Sequence, residues 1–381
     1  MSPDGRFVAF TSSARNIHPA DTDTRKDIYL RDRYLGTTEL ISVSSDGTKS
    51  NSDSGRPTVS ADGRYVAFDS NATNLVPGDT RATDVFLRDR LAGTTELVTV
   101  DSNEVKGSGS SPSMSNDGRF VAFWSGEQLV NEDTNGRPDM YVRDRLSGTT
   151  SLASKSSDGT VGNTLTQPGR LSGNGRFVVW HTGSTNHSPL DDDSLWDVYL
   201  HDRQSGTTEL ISVNTAGEKG NDSSFHPCVS DDGRFVAFFS PATNLSPEDS
   251  DDLHDVFVRD RVNSTTTLIS KSSLGVKGND WSRSPSISAD GQFVVYLSNS
   301  SNLSPEDGDS LSDVYVHDLS NSSTTLASVG VNRTKGDSVS DYTTISGDGL
   351  VVAFVSLAQN LIFNDTNGRF DVFTVRNPVV R

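Results

Sequence analysis

Cysteine and long apolar runs are scarce in this chain of 381 residues. Cys228 is its single cysteine, which excludes an internal disulfide framework. We expect this thiol to be buried and inert on a strand rather than catalytic. No apolar run is long enough to form a transmembrane helix, so insertion into a membrane is not expected.

Basic residues are also scarce: the chain has 33 lysines and arginines but 51 aspartates and glutamates, which gives a net charge of −18. A surface of that charge repels polyanions, which disfavours nucleic acids and anionic membranes as partners, and we expect no nucleic-acid partner. Signal-peptide features are missing too, and Met1 leads straight into a turn motif in the middle of a repeat. We interpret this start as that of a mature chain and predict a secreted or periplasmic protein.

A repeated motif is what the chain has in abundance. The pattern Ser-x-Asp-Gly-x-x-Val-Ala/Val-Phe recurs seven times with small variations, at intervals of 55 to 58 residues. The glycines of the motif are Gly5, Gly63, Gly118, Gly175, Gly233, Gly291 and Gly349. A period of this size, filled with short strands and turns, is typical of the blades of a β-propeller.

We therefore predict an all-β fold, a seven-bladed β-propeller of four-stranded antiparallel blades that forms a single domain over residues 1–381, with six blades as the alternative. The predicted repeats are residues 1–56, 57–111, 112–167, 168–226, 227–284, 285–342 and 343–381. The first repeat lacks its first strand, and the last lacks an evident fourth strand. Residues 377–381 are the only candidates to fill either gap.

The second repeat shows how one blade is built. Residues 57–59 predict strand a, residues 64–68 strand b, residues 84–89 strand c and residues 96–100 strand d. A tight turn at Gly63, where glycine tolerates a positive φ, joins strand a to strand b. Because each strand is apolar at alternate positions, a blade can bury its faces only against neighbouring blades.

Residues 2–10, Ser-Pro-Asp-Gly-Arg-Phe-Val-Ala-Phe, followed by Asp27-Ile28-Tyr29-Leu30, resemble the WD40-like propeller repeat of TolB-type proteins. The resemblance covers essentially the whole chain and implies a propeller. It leaves the function open, because the same repeat serves binding platforms, domains that gate peptidases and lyase-like enzymes.

An acidic loop lies between strands b and c. Six of the seven repeats carry Asp-x-Asp/Asn-x-x-x-Asp there. Three oxygen side chains at this spacing can converge on one calcium ion, with backbone carbonyls and water completing its shell. The predicted ligands are Asp21, Asp23, Asp27, Asp133, Asn135, Asp139, Asp191, Asp193, Asp197, Asp249, Asp251, Asp255, Asp307, Asp309, Asp313, Asp365, Asn367 and Asp371. The second repeat has Asp79, Arg81 and Asp84 in a shorter loop, so we expect no metal there.

The acidic loops also fit two roles that need no metal. Asp and Asn side chains bind backbone amides in turns, which is a purely structural role. The loops between strand d and the next strand a emerge on the same face of a propeller as the acidic loops. Their lysines could form salt bridges with the aspartates and so take the place of a metal. These lysines are Lys49, Lys106, Lys219, Lys277 and Lys335. We favour calcium in some loops, because cations relieve the repulsion within a strongly negative chain.

Large side chains appear where the repeats depart from their own consensus. They are Trp196, Phe225, His226, His254, Trp281 and Arg283. All six fall in segments predicted to be loops on one face, and their side chains suit stacking on a sugar or anchoring of a peptide. The structural alternative is that they cover a neighbouring blade.

Together these patterns predict a non-enzymatic binding or scaffold propeller that presents calcium-stiffened loops to a protein or glycan partner, with no catalytic residue assigned. The alternative is a polysaccharide lyase or hydrolase with its site at the channel mouth near His226, Trp281 and Arg283.

Overall fold

The computed structural model describes residues 1–79 and 83–380. Contacts divide the chain into two compact units, Met1–Asp192 with Leu200–Glu209, and Asp193–Tyr199 with Leu210–Arg381. The regular structure of the described residues is made of strands, and no helix there is long and apolar enough to cross a bilayer. The division does not test the prediction of a single domain, which stays a prediction.

Seven antiparallel sheets follow one another along the chain, each formed by consecutive strands. The second to sixth sheets have four strands in the order a, b, c, d, and the first and last have three. The fold is therefore the predicted all-β, seven-bladed β-propeller with an incomplete first and last blade, and the six-bladed alternative is wrong.

The strands of the described residues, sheet by sheet, are β1 (Phe7–Ser12), β2 (Asp27–Asp32), β3 (Thr37–Leu40); β4 (Ser54–Val59), β5 (Tyr65–Ser70), β6 (Asp84–Asp89), β7 (Thr94–Leu97); β8 (Ser110–Met114), β9 (Phe120–Ser125), β10 (Asp139–Asp144), β11 (Thr149–Leu152); β12 (Thr166–Leu171), β13 (Phe177–Thr182), β14 (Asp197–Asp202), β15 (Thr207–Leu210); β16 (Phe225–Val229), β17 (Phe235–Ser240), β18 (Asp255–Asp260), β19 (Thr265–Leu268); β20 (Ser282–Ile287), β21 (Phe293–Ser298), β22 (Asp313–Asp318), β23 (Ser323–Leu326); β24 (Ser340–Ile345), β25 (Val351–Ser356) and β26 (Asp371–Arg376).

The predicted strands of the second repeat appear as β4 to β7, with a shift in strand d. Strand β7 begins at Thr94 rather than at residue 96, because it pairs with the end of β6 directly after a turn that closes at Gly93. The first strand of each four-stranded sheet also begins two or three residues before the predicted start of its repeat, as β4 does at Ser54.

Strands b and c form the buried centre of the four-stranded sheets. In β5 and β6 nearly every residue is buried, on both faces, so the strict alternation of a half-exposed strand is replaced by continuous burial. Val85 and Leu87 of the second sheet share one apolar cluster with Val121 and Phe123 of the third. Neighbouring sheets thus supply the second half of each other's core.

The turn between strands a and b is a point of close approach between sheets. Gly63 adopts a φ of 71°, and a Cβ added there would lie 2.4 Å from the ring of Phe7 in the preceding sheet. Ser60 donates its hydroxyl to Asp62 at 2.7 Å and accepts the N–H of Tyr65 at 2.9 Å. Both the left-handed backbone and the lack of space require glycine at this point of the repeat.

The residues after β26 do not supply a missing strand. Asn377 donates its side-chain N–H to the carbonyl of Gly349 at 2.7 Å, and Val380 donates its N–H to the carbonyl of Asn377 at 3.2 Å. This segment is therefore a turn bound to the seventh sheet, and the sheet keeps three strands among the residues that the structure describes. Arg381 lies outside those residues.

Candidate functional site

The acidic loop of the first repeat gathers three carboxylates around a lysine. Asp21, Asp23 and Asp27 each place an oxygen within 4.8 Å of the others. The Nζ of Lys49 lies 2.8 Å from Asp27 Oδ2, 3.0 Å from Asp23 Oδ1 and 3.5 Å from Asp21 Oδ1. Tyr29 donates its hydroxyl to Asp21 Oδ2 at 2.6 Å. The carboxylates thus face a cation that the chain itself supplies.

The fifth and sixth repeats contain the same arrangement. The Nζ of Lys277 lies 2.7 Å from Asp251 Oδ1, 2.7 Å from Asp255 Oδ2 and 3.6 Å from Asp249 Oδ1. Ser270, which follows strand d, donates its hydroxyl to Asp255 Oδ1 at 2.6 Å. The sixth repeat has the equivalent group in Asp307, Asp309, Asp313 and Lys335.

In the fourth repeat the chain passes from the first unit to the second inside the acidic loop. Within the second unit the Nζ of Lys219 lies 2.9 Å from Asp193 Oδ1 and 2.9 Å from Asp197 Oδ2. Asp191 is buried in the first unit.

The second repeat also places a lysine at its acidic loop. Lys106 forms ion pairs with Asp79 and, at 3.2 Å, with Asp84. Arg81, on which the prediction of a metal-free loop depends, lies outside the described residues.

The loops of the third and seventh repeats carry an amide at the second ligand position. Asn135 Nδ2 donates to Asp139 Oδ2 at 2.7 Å, and Asn367 Nδ2 donates to Asp371 Oδ2 at 2.7 Å. In the third repeat Val161 stands at the lysine position. A neutral N–H donor therefore takes the place that the ammonium holds in the other loops.

The first aspartate of these two loops closes a turn. Asp133 Oδ1 accepts the N–H of Asn135 at 3.4 Å, and Asp365 Oδ1 accepts the N–H of Asn367 at 3.4 Å. The hydroxyl of Tyr141 donates to Asp133. The structure thus contains Asx turns and lysine salt bridges, which are the two alternatives to a metal, together with several aspartate clusters that could hold a metal ion.

Burial raises the pKa of the third aspartate in one loop of each kind, the fifth and the third. It raises the pKa of Asp255 to about 6, although the bond with Lys277 acts in the opposite direction. It raises the pKa of Asp139 to about 6 as well, against its hydrogen bonds. Burial acts to lower the pKa of Lys277, but the bonds to Asp251 and Asp255 outweigh it and raise this pKa.

Side chains from four segments of the second unit form an aromatic cluster. The ring of Trp281 stacks on that of His254, with centroids 5.1 Å apart and planes at 22°. His254 contacts Phe239 at 5.3 Å, and Phe239 contacts His226 and Phe225, each at 5.5 Å. Trp281 is 48% exposed. These five residues, which we call the aromatic cluster, present an open aromatic surface.

Four of the six predicted binding residues are thus brought together, but not all of them lie in loops as predicted. Phe225 and His226 belong to β16 and Arg283 to β20. A bulge shifts the pairing of β16 with β17 between Phe225 and Cys228, and His226 there has a φ of 48°. The bulge leaves His226 exposed on a strand, and Cys228, expected to be buried, is half-buried.

Trp196 and Arg283 lie near the cluster, Trp196 through a main-chain bond and Arg283 through its charge. The carbonyl of Trp196 accepts the N–H of Ser224, which directly precedes β16, at 2.5 Å. Burial is the main cause that lowers the pKa of His254, with Asp222 acting against the shift and Arg283 adding to it. The ring of His254 is therefore neutral near pH 7, which suits its stacked position.

Phe239 is the member of the cluster that sequence reasoning missed. It is the fifth residue of β17 and is buried beneath the exposed rings. The same position in other repeats is held by residues as different as Thr11, Asp69 and Leu297. This variation inside an otherwise regular strand is the signal that would have found it.

No protein-family model and no curated protein matches this sequence. Among solved structures, the chain is similar to the β-propeller domain of the Trilobed protease from Pyrococcus furiosus, with 14% identity, 97% of this chain and 90% of that chain covered, and a TM-score of 0.58. It is similar to oligogalacturonate lyase from Vibrio parahaemolyticus, with 12% identity, 100% and 88% covered, and a TM-score of 0.59.

TolB from Acinetobacter baumannii is also among the similar structures, with 18% identity, 85% of this chain covered and a TM-score of 0.48. The present chain spans 63% of the length of that TolB chain. At identities this low a likeness shows the fold alone. The comparisons therefore agree with the propeller fold and assign no activity.

Proposed function

We propose that this chain is a non-enzymatic binding propeller, secreted or periplasmic, that presents the aromatic cluster to a protein or glycan partner. One observation carries the proposal: side chains that break the repeat converge on Phe239 and leave Trp281 and His226 exposed. A rigid scaffold commonly carries its binding residues at such irregular positions.

The stacked pair of Trp281 and His254 supports a binding role. The Trp281 ring keeps about half of its surface in solvent while it rests on His254. A ring held in this way loses little conformational entropy when a partner covers it. Its free face suits the apolar face of a sugar ring or an apolar side chain of a peptide.

Charge limits the kind of partner. Asp222 and Arg283 act on His254 with opposite charges, so both an acceptor and a donor lie near the rings. The net charge of −18 disfavours a polyanionic glycan. The proposed partner is therefore a neutral glycan or a peptide segment without strong negative charge.

The test is the double substitution Trp281→Ala with His226→Ala. We expect it to abolish hits on a glycan array and in a pull-down, while the free energy of unfolding changes by no more than about 1 kcal/mol, as for surface changes. Tyr34→Ala is the matched control, because Tyr34 is an exposed aromatic residue in the first repeat. Unchanged hits, or loss of the fold, would assign the cluster to packing and overturn the proposal.

We further propose that calcium stiffens some of the acidic loops. In the lysine-bearing loops a cation has to displace an ammonium group, so the third and seventh loops are better candidates. Rotating the amide of Asn135 by half a turn would direct its oxygen towards Asp139, and calcium accepts such mixed oxygen ligands.

Melting curves and metal counts test the calcium proposal. Calcium at about millimolar concentration, the range of weak extracellular sites, should raise the melting temperature relative to chelator. Asp133→Ala and Asp365→Ala should each lower the bound calcium measured by elemental analysis, whereas Asp79→Ala should not. Equal melting temperatures with calcium and with chelator would rule the proposal out.

A further inference from the structure

Asp69 and Arg56 are two charged residues that depart from the repeat in the same sheet. Asp69 is the fifth residue of β5, and none of the other six sheets has an acidic residue at the fifth position of strand b. The residues at that position are Thr11, Trp124, His181, Phe239, Leu297 and Val355. Positions that break the rules of a regular repeat are where functional residues are expected.

A bulge in strand a leaves the side chain of Arg56 exposed. The pairing of β4 with β5 shifts between Gly55 and Thr58, and Arg56 within the bulge has a φ of 46°. The bulges of the fifth and seventh sheets give His226 and Tyr342 φ values of 48° and 47°, and both side chains are exposed as well. Bulges re-aim side chains beside functional sites. The second sheet thus presents an arginine at the position where the fifth presents His226 of the aromatic cluster.

Asp69 is a buried carboxylate with one oxygen bound and the other open to a further donor. Its side chain is 6% exposed. Asp69 Oδ2 accepts a hydrogen bond from Arg56 Nη1 at 2.8 Å and another from the N–H of Ser111 in β8 at 2.9 Å. Among the described residues, none donates a hydrogen bond to Asp69 Oδ1. Because a buried carboxylate oxygen without a donor costs free energy, this oxygen is suited to accept a hydrogen bond from a ligand.

Gly55 leaves space in front of Asp69 Oδ1. It pairs with Asp69 across the two strands, and a Cβ built on Gly55 would lie 3.1 Å from that oxygen. The equivalent residues of the later sheets all carry side chains, so the backbone at this position does not require glycine. They are Ser110, Gln167, Phe225, Arg283 and Asp341. The missing side chain therefore provides access to the carboxylate rather than conformational freedom.

Arg56 places hydrogen-bond donors beside this acceptor. Its side chain is 64% exposed, and in the part of the chain that the structure describes only its Nη1 has a partner, so Nε and Nη2 can donate to a ligand. The charges of the guanidinium and the carboxylate cancel, so the pair attracts neither free anions nor free cations strongly. Donors next to an acceptor match two neighbouring hydroxyls of a sugar ring, since each hydroxyl can both donate and accept.

We propose that Arg56 and Asp69 form a binding site for a neutral sugar. Asp69 Oδ1 accepts a hydrogen bond from one ring hydroxyl, and the Arg56 guanidinium donates to the neighbouring hydroxyl. The site lies wholly in the first unit, whereas the aromatic cluster belongs to the second. This inference therefore does not depend on the function proposed for the cluster, and either can fail without the other.

The experiment titrates the full chain, labelled with 15N, with three methyl glycosides, those of mannose, galactose and glucose. We expect at least one of them to shift the NMR signals of the Arg56 Nε–H and the Ser111 backbone N–H in a saturable manner. Sodium acetate at the same concentration and constant ionic strength is the control probe, and it should leave both signals unchanged because Asp69 repels an anion.

Variants of the protein test which groups hold the sugar, with the Ser111 N–H as the signal. Gly55→Ala covers Asp69 Oδ1, and Arg56→Ser places at the bulge the residue type that Ser111 supplies in the third sheet. Each should weaken binding about tenfold or more, as expected for a lost hydrogen bond to a charged group. Arg15→Ser, at an exposed arginine of the first repeat, is the matched control and should bind like the parent.

Asp69→Asn should weaken binding to a similar extent, and melting curves show which variants keep the fold. If Asp69→Asn does not fold, Gly55→Ala and Arg56→Ser decide the question, because other sheets of this chain tolerate larger or different residues at both positions. Absence of a saturable shift with all three glycosides, a response of the two signals to acetate, or parent-like binding by the folded variants would each overturn the proposal.

Discussion

The acidic loops fall into two classes, which relieve the repulsion between their carboxylates with different residues. In the first, fifth and sixth repeats three carboxylates surround a lysine, as Asp249, Asp251 and Asp255 surround Lys277. In the third and seventh repeats two carboxylates are joined by an amide, as Asn135 joins Asp139. Three carboxylates with one ammonium and two carboxylates with one amide carry the same formal charge of about −2.

The third aspartate is common to both classes of loop, and the group that faces it explains why the other positions differ. In the third and fifth repeats, one of each class, the third aspartate is buried, and a hydroxyl after strand d donates to it, from Ser154 to Asp139 and from Ser270 to Asp255, each at 2.6 Å. Its other oxygen needs a donor because it is out of contact with water. In the fifth repeat Lys277 Nζ forms an ion pair with this oxygen at 2.7 Å, and in the third repeat Asn135 Nδ2 donates a hydrogen bond to it. The residue at the second position of the acidic loop and the residue at the lysine position therefore change together: Asp251 occurs with Lys277, and Asn135 with Val161.

Removing the lysine should separate the two classes most strongly. Lys277→Met leaves three carboxylates without their cation and should lower the free energy of unfolding by about 3–5 kcal/mol, the usual cost of breaking a buried pair. Urea unfolding at pH 7 measures the loss. Lys26→Met, at an exposed side chain, is the control and should change stability by no more than about 0.5 kcal/mol. A loss of stability in Lys277→Met no larger than that in Lys26→Met would show that the lysine does not stabilise the carboxylates of this class.

Adding a carboxylate to the amide class should have the next largest effect. Asn135→Asp replaces the donor to Asp139 by a third negative charge and should cost about 2 kcal/mol, the range for an unsatisfied buried group. A second change, Val161→Lys, should recover most of that cost by supplying the missing ammonium. The same lysine in the parent background, with Asn135 present, should bring no gain. Absence of recovery in the double variant would show that the two positions are not coupled.

Converting a lysine loop into an amide loop should give a smaller effect, a coupling free energy between the two changed positions. Lys277→Val with Asp251→Asn recreates the residues of the third repeat, so the pair should cost less than the sum of the single changes. Residues in one ion-pair network usually show coupling of about 0.5–3 kcal/mol, and we expect about 1 kcal/mol here. A double-mutant cycle by urea unfolding measures it. Strict additivity would contradict the proposed exchange.

The pH dependence should be the smallest effect and should not distinguish the classes. Asp139 and Asp255 both have a folded pKa of about 6, above the ordinary 3.8, so near pH 6 the folded chain binds protons that the unfolded chain does not. Stability from each group is present at low pH and is lost as pH rises through about 6. Lowering the pH from 7 to 5.5 should stabilise the fold by about 0.8 kcal/mol for each group.

The variants Asp139→Asn and Asp255→Asn should each abolish the gain of about 0.8 kcal/mol in the free energy of unfolding between pH 7 and pH 5.5. Urea unfolding at both pH values measures this. A change in only one of them would show that the lysine, rather than burial, sets the protonation of the third aspartate.

Repeat number, strand type and the glycine turns were predictable because they depend on residues close together in the chain. The alternation in residues 64–68 marks β5, and the turn glycine Gly63 marks the approach of the next sheet. Strand d of the second repeat was displaced by two residues, since the polar pair Thr94 and Thr95 reads as a turn until its pairing with β6 is known.

The candidate site was predictable only in part. Residues that depart from the repeat, such as His254 and Trp281, were found by that departure, and the structure stacks them. Phe239 was missed because an extra aromatic residue in a strand resembles ordinary core. The bulge at His226 was missed because its φ depends on pairing with β17 and not on residue type.

Local sequence thus dictated seven repeats, their strands and a strongly negative loop in most of them, because alternation, turn residues and charge act over a few neighbouring residues. Contacts between distant segments decided which carboxylates meet a lysine, as Asp23 meets Lys49, 26 residues away in the chain, and which side chains gather on Phe239. The reason is that burial and charge pairing are properties of neighbours in space, which one repeat read alone does not contain.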